Sequence, residues 1–290
     1  MSTLKGFVSV CLLCLSTLIW TPPLLILTLI KLFMPTRQLQ LRVLGGLNRI
    51  ALNWIGTNLW WMRRWLKPQL SSVLPETLSR DGWWLVIANH CCWTDIFVLQ
   101  MALHRRIPMP RFFLKRELFW VPIVGLAWWA LEYPFLRRYR REQVQQTPQL
   151  AERDRRETER MCRRAQDMPI AIYNFVEGTR FTPAKHTAQQ SPYRHLLRPK
   201  AGGTAQVIRL MGHRLSGILD ATLIYAHPAP SFWRFLCGRE GPIQLEIHHL
   251  NVPAWMTAGD YHQDPDYKER FQTWLNALWQ DKDRRIDTSS

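Results

Sequence analysis

Residues 83–88 read WWLVIA, six apolar positions in a row that end abruptly at Asn89 and His90. A short continuous run of this kind predicts a strand buried on both faces, as in a mostly parallel sheet covered by helices. Open α/β sheets bind ligands beyond the carboxyl ends of such strands, so the residues that follow matter. Thr94 is expected to cap a helix, and Asp95 to open its first turn, with apolar periodicity continuing through Ile96, Phe97, Leu99 and Met101 to Leu103. There the helix dipole favours a negative charge. A carboxylate at Asp95 can reach back to one ring nitrogen of His90 and leave the other free to accept a proton. With nine His in the chain, the spacing alone does not separate this pair from a corner His beside a helix-capping Asp.

From residue 83 onward, strand-length apolar runs alternate with helical patterns. Strands are expected at 84–88, 111–114, 134–136, 170–176, 218–225 and 243–249. Helices are expected at 94–104, 117–131, 151–167, 202–214 and 267–282. The alternation predicts an α/β class with a mainly parallel central sheet flanked by helices. Helix 151–167 mixes Glu and Arg at helical spacing, which suits a solvated ion-pair face better than a nucleic-acid surface.

The front of the chain is different. Residues 6–30 carry no charge, enough to cross a hydrocarbon core of about 30 Å, but Pro22 and Pro23 interrupt them. The expectation is one kinked membrane helix, or else two half-helices dipping into one leaflet. The stretch is too long for a cleaved signal sequence. Lys31, Arg37, Arg42 and Arg49 outweigh Lys5, which by the positive-inside rule is expected to place the remainder on the cytoplasmic side. Residues 39–66 have the composition of an interfacial helix with its apolar side towards lipid or, alternatively, towards the domain; 68–82 read as a polar linker. The net charge of +16 comes from thirty Arg and eight Lys, a bias that suits anionic membrane surfaces and phosphate-bearing ligands. Six Cys fit a reducing compartment, and the Cys11/Cys14 spacing lies in the apolar stretch without further metal ligands, so no metal is expected. Cys91 and Cys92 beside His90 raise a thiol nucleophile, which no third group in the sequence supports.

A second strand end carries chemistry. The run 170–176 is followed by Glu177, Gly178, Thr179 and Arg180: a residue for a tight turn, a hydroxyl and amide donor, and an anion clamp. Alone it is also an ordinary turn with a surface ion pair. Together, NH-x4-D at Asn89 to Asp95 and F-x-EGTR at Phe175 to Arg180 resemble the first and third motifs of the 1-acylglycerol-3-phosphate (lysophosphatidic acid) acyltransferase family. Pro134 to Arg138 (PFLRR) is similar to that family's second motif, and Lys115 in FFLKREL to its phosphate-binding Lys. Val176, Phe181 and the proline-free run 219–225 are closer to the lysophospholipid and lysocardiolipin branch and to its Gram-negative bacterial paralogue.

The expected organisation is a membrane-anchoring segment over 1–36, an interfacial helix and linker over 37–82, and an acyltransferase domain over 83–290; the resemblance covers residues 83 to about 225, and the membrane segment is consistent with it. The resemblance implies transfer of a fatty acyl group from acyl-CoA or acyl-acyl carrier protein to the sn-2 hydroxyl of a lysophospholipid. His90 would be the general base and Asp95 its orienting partner. Lys115, Arg138 and Arg180 would bind phosphate, while Glu177, Gly178 and Thr179 shape the glycerol pocket. A thioester is already activated, so no cofactor is expected. A noncatalytic lipid- or nucleic-acid-binding protein would account for the charge and the Trp residues but not for the paired motifs.

Overall fold

The structure, a computed structural model, describes residues 2–121, 124–136 and 149–289. Two long helices come first, α1 (Ser2–Leu32) and α2 (Arg37–Trp61), the latter extended by a π-helical turn at Met62–Leu66. There follow β1 (Leu70–Val73), β2 (Trp83–Ala88), α3 (Thr94–Leu103), β3 (Pro110–Phe112), β4 (Leu114–Lys115), α4 (Val124–Ala130) and β5 (Phe135–Leu136). The second half contains α5 (Gln149–Ala165), β6 (Ala171–Phe175), α6 (Pro183–Gln189), α7 (Ala201–Met211), β7 (Leu215–Tyr225), α8 (Phe232–Leu236), β8 (Ile243–Leu250), α9 (Trp255–Ala258) and α10 (Pro265–Ser289).

Six strands form one sheet in the order β1-β8-β7-β2-β6-β3, parallel throughout except for the antiparallel β7–β8 pair. The apolar run at 83–88 is its centre, flanked by β6 and β7. The pleat sends Trp84, Val86 and Ala88 to one core, shared with α3, α8 and the end of α2, and Leu85 and Ile87 to the other, shared with α5, α7 and α10. In register, Ala88 lies opposite Phe175 on β6 and Ala221 on β7, so β2 and β6 end side by side.

Helix α10 is tied to β7 by a buried ion pair. The Lys282 ammonium is wholly buried, 2.7 Å from Asp220 Oδ1, and donates to Ala221 O at 2.6 Å and Thr222 Oγ1 at 3.0 Å; Arg285 Nη2 donates to Asp220 Oδ2 at 2.7 Å. Such a pair is costly to break from one side only, because the surviving charge stays buried.

Pro22 and Pro23 lie inside one continuous helix rather than between two half-helices. Helix α1 is inside-out: Gly6, Ser9, Ser16, Thr21 and Thr28 are buried with Leu24, whereas Leu4, Phe7, Leu18, Ile26 and Leu29 are exposed. Small inward residues let helices approach closely, and Ser9 and Thr28 satisfy their hydroxyls on carbonyls of the preceding turn. Both ends of α1 are fastened to the domain. Ser9 Oγ also lies 3.0 Å from Leu236 O on α8, and Lys31 Nζ donates to Ala130 O at 3.0 Å and Glu132 Oε1 at 2.8 Å. Helix α2 turns Leu44, Leu47, Ala51, Leu59 and Trp61 inward and leaves Trp60 exposed.

Three local expectations change. The stretch 68–82 is not all linker, because β1 adds an edge strand parallel to β8. The helix expected at 117–131 is a 3-10 turn at Arg116–Trp120 followed by α4; Gly125 lies so near the Phe119 carbonyl that a Cβ there would sit 2.1 Å from it. Thr94 is the first residue of α3 rather than its cap, and its buried hydroxyl has no hydrogen-bond partner.

Candidate active site

The loop after β2 begins with a side chain that imitates backbone. Buried Asn89 donates from Nδ2 to Leu223 O and accepts from Leu223 N on Oδ1, both at 2.9 Å, supplying one more rung between β2 and β7. The chain can then leave the sheet at His90 without stranding polar groups of β7. The His90 ring stacks on Phe175 of β6, with centroids 4.0 Å apart and planes 15° apart, and its Nδ1 is 2.7 Å from Asp95 Oδ2.

Asp95 is fully buried and ringed by donors. Oδ2 accepts from Cys91 N at 2.6 Å and Cys92 N at 3.0 Å besides His90; Oδ1 accepts from the Tyr225 hydroxyl at 2.6 Å and, more weakly, from Cys92 Sγ at 3.8 Å. The carboxylate thus folds back on the loop ahead of the helix and satisfies two of its amides, while no side chain caps α3 itself. An ionised carboxylate is acceptor-only, so Nδ1 carries the ring proton and Nε2 offers a lone pair. The His90 side chain is 16 % exposed, enough to be approached.

The neighbouring thiols are poor nucleophiles. Burial, with the nearby Asp95 charge, pushes the Cys91 thiol well above its ordinary range and the Cys92 thiol up to about 11. Reactive cysteines are thiolates.

The loop after β6 runs alongside. Val176 N donates to Ala88 O at 3.2 Å, and Phe181 N to His90 O at 2.7 Å. Gly178 has φ +71°, a left-handed conformation that suits glycine, and a Cβ there would come within 3.2 Å of Lys200 Nζ. Thr179 Oγ1 accepts from Lys185 Nζ at 2.7 Å, and the same ammonium holds Arg180 O at 3.0 Å. The exposed Arg180 guanidinium lies 5.3 Å from the centroid of the Trp93 ring.

Glu177 departs from the expected pocket-shaping role. Its side chain is turned inward, the residue is 1 % exposed, and its carboxyl oxygens are approached by the backbone amides of Leu197 and His90 without a well-formed hydrogen bond. Burial pushes the group up to about 8 and Asp95 adds to the shift, while the backbone amides of Leu197 and His90 and the Lys282 ammonium oppose it. It is a buried acid under the turn.

The structure thus brings together His90, Asp95, Glu177, Gly178, Thr179 and Arg180. Lys115 lies in β4, paired beside β5, but its side chain is outside the described residues, as is the whole of Arg138. Motif reading missed Tyr225, whose only signal was its position as the last residue of an expected strand, and Lys185, which braces the second loop from α6.

The match of the acyltransferase family model to residues 70–225 covers both loops and the strands that carry them. The chain belongs to the acyltransferase family. Relatives of this acyltransferase-family chain include the 1-acyl-sn-glycerol-3-phosphate acyltransferase delta of Bos taurus, 24 % identical over 213 residues (69 % of this chain and 51 % of that one). The gamma form from Homo sapiens is 27 % identical over 183 residues (58 % and 43 %). The chain spans about half the length of the curated relatives it matches. The fold is also that of the 1-acyl-sn-glycerophosphate (LPA) acyltransferase PlsC from Thermotoga maritima, with a TM-score of 0.54 at 15 % identity over 99 % of this chain and 98 % of the other.

Proposed function

We propose that the chain is a 1-acylglycerol-3-phosphate O-acyltransferase that works at a membrane surface. It moves a fatty acyl group from acyl-CoA or acyl-acyl carrier protein to the sn-2 hydroxyl, giving phosphatidic acid. The observation that carries this reading is the pairing of the two strand ends: the oriented His90 at the end of β2 lies beside the EGTR turn at the end of β6, joined through Phe175 and Phe181.

His90 Nε2 takes the proton of the acceptor hydroxyl as its oxygen attacks the thioester carbonyl. The carbonyl becomes a tetrahedral oxyanion. Its collapse breaks the carbon–sulfur bond, and the departing thiolate receives the proton from Nε2, which restores the neutral ring. Asp95 holds the tautomer and stabilises the transient imidazolium. Arg180, with Lys115 and Arg138, binds the acceptor phosphate, and Gly178 lets backbone approach it. Thr179 shapes the glycerol pocket with Gly178; the inward turn of Glu177 assigns it to the support of that turn.

The membrane attachment follows from α1. This is the one described helix long and apolar enough to cross a bilayer, with a mean hydropathy of 2.1 over its most apolar window. At 31 residues it is about 46 Å long. Fastened to the domain near both ends, it lies along the domain, which favours burial of its outward Leu, Ile and Phe side chains in one leaflet over a perpendicular crossing. The flanking cations favour the cytoplasmic face of an inner membrane.

Detergent-purified protein, given labelled oleoyl-CoA and a panel of lysophospholipids beside His90→Ala, tests the proposal. Phosphatidic acid formed by the wild type alone supports it. Transfer confined to another lysolipid moves the acceptor to a remodelling substrate, and no transfer from either CoA or carrier-protein thioesters overturns it.

A further inference from the structure

We infer that Tyr225 is a positioning residue of the His90–Asp95 pair, acting from β7 through its hydroxyl on the carboxylate oxygen that His90 does not use. The inference rests on the acyl-transfer reading for its kinetic consequence, though not for its geometry. Tyr225 OH donates to Asp95 Oδ1 at 2.6 Å, and His90 Nδ1 meets Oδ2 at 2.7 Å. The two oxygens are therefore gripped chiefly from different elements: one from the sheet, with only the distant Cys92 thiol beside it, the other from the histidine and the loop amides. A carboxylate held on one oxygen alone can pivot about its Cβ–Cγ bond; held on both, it fixes the plane in which the imidazole must lie.

The contact follows from strand parity. Asp220 and Thr222 face α10, where they bind Lys282, whereas Leu223 packs in the core shared with α3, and Tyr225 falls on Leu223's face. Asn89 fixes the level: by bonding both backbone groups of Leu223 it sets β7 against the loop, so that the ring two residues on reaches Asp95.

Five titratable groups face the pair. Cys91 and Cys92 come from its own loop, Tyr225 from β7, Glu177 from the loop after β6 and, at longer range, Glu240 from the segment before β8. Burial raises all five, with Tyr225 well above its usual 10, so the hydroxyl remains a donor throughout the range in which a histidine titrates. Glu177 is the member at about 8.

The sign of the effect follows. Removing the hydroxyl leaves the Asp95 charge less dispersed, so it attracts the imidazolium more strongly and raises the His90 midpoint. In full-length Tyr225→Phe in detergent, the His90 ring midpoint read by NMR should rise by about half a unit to one unit. kcat should fall about tenfold with acceptor KM unchanged, as for loss of a hydrogen bond to a charged group. Replacing Tyr225 with 3,5-difluorotyrosine, a stronger donor of nearly the same size, should lower the midpoint instead. This second variant decides the question should Tyr225→Phe fold poorly. In an Asp95→Asn background, Tyr225→Phe should cost little more. A His90 midpoint that neither variant moves, or an equal loss with and without Asp95, overturns the inference. The NMR midpoints are read without turnover, so failure of the acyl-transfer reading would show separately, as wild-type protein inactive on every lysolipid while the Tyr225 shifts persist.

Discussion

The loops after β2 and β6 leave adjacent parallel strands at the same level, and each carries one buried carboxyl, yet the two are built oppositely. Asp95 accepts from two backbone amides, an imidazole and a phenol, with a thiol more distant. Glu177 has neither oxygen in a well-formed hydrogen bond, only the approach of the Leu197 and His90 amides, and burial pushes it up to about 8. One is thus ringed by donors beside a histidine, and the other is suited to be neutral at pH 7. Two carboxyls whose environments separate them in this way have separate jobs: on the proposed function the first would hold a base, while the second would fill the space under an anion-binding turn without adding a negative charge of its own.

The largest effect should come from the first loop. His90→Ala is expected to lower kcat by about 10²–10⁴ with the fold intact, as judged by circular dichroism and membrane association, because the ring meets protein through only one nitrogen and one stacked face. Turnover within a factor of a few of wild type would remove the catalytic half of the comparison.

Next comes the second carboxyl, through pH. A group whose folded value is about 8 against about 4.5 unfolded keeps its proton in the folded state after the unfolded chain has lost it. Stability is then full below about pH 4.5, declines as pH rises, and levels off beyond about 8, a loss on the order of a few kcal/mol. Glu177→Gln removes this ionisation. Thermal melting between pH 5 and 8.5 should show a shallower decline for Glu177→Gln than for wild type. Parallel curves would mean that Glu177 is charged and paired, and the contrast with Asp95 would fail.

Much of this was legible in the chain. Strands β2, β6 and β7 announce themselves as largely apolar runs and β8 by alternation, and His90, Asp95 and Arg180 stand at or just beyond strand ends where chemistry is expected. The edge strand β1 was not legible, because Leu70–Val73 is mostly exposed and joins the sheet through backbone pairing to β8, which leaves no apolar pattern. Thr94 is a better cap by residue type, but the helix begins one residue earlier than that reading requires, with Thr94 already in its first turn and Trp93 at the cap position. Glu177 belongs to a recognisable tetrapeptide, yet the tetrapeptide does not say which way its side chain turns. Tyr225 is 130 residues from Asp95 in sequence and meets it only because β7 lies beside β2.

A smaller effect is expected at Arg180. It is exposed and takes no part in the dyad, so Arg180→Ala should raise the acceptor KM about 10- to 100-fold, with little change in kcat and none in the acid limb of the pH profile. Steady-state kinetics at several pH values check this; a lowered kcat at unchanged KM would reassign Arg180 to the first loop's work.

The smallest effect tests the contact that joins the two loops. Trp93 belongs to the β2 loop and Arg180 to the β6 loop, and the guanidinium sits 5.3 Å from the indole centroid at the surface. An exposed cation–π contact contributes about 0.5–1 kcal/mol, a factor of about two to five. Trp93→Leu keeps an apolar side chain at the helix cap position but removes the ring face, so it should raise the acceptor KM by that factor in wild type and not at all in an Arg180→Ala background. The coupling separates the two loops' roles. If the loss persists without Arg180, Trp93 acts on the loop that holds His90; if it disappears, the β2 loop, through one indole, steadies the neighbouring loop's hold on the acceptor.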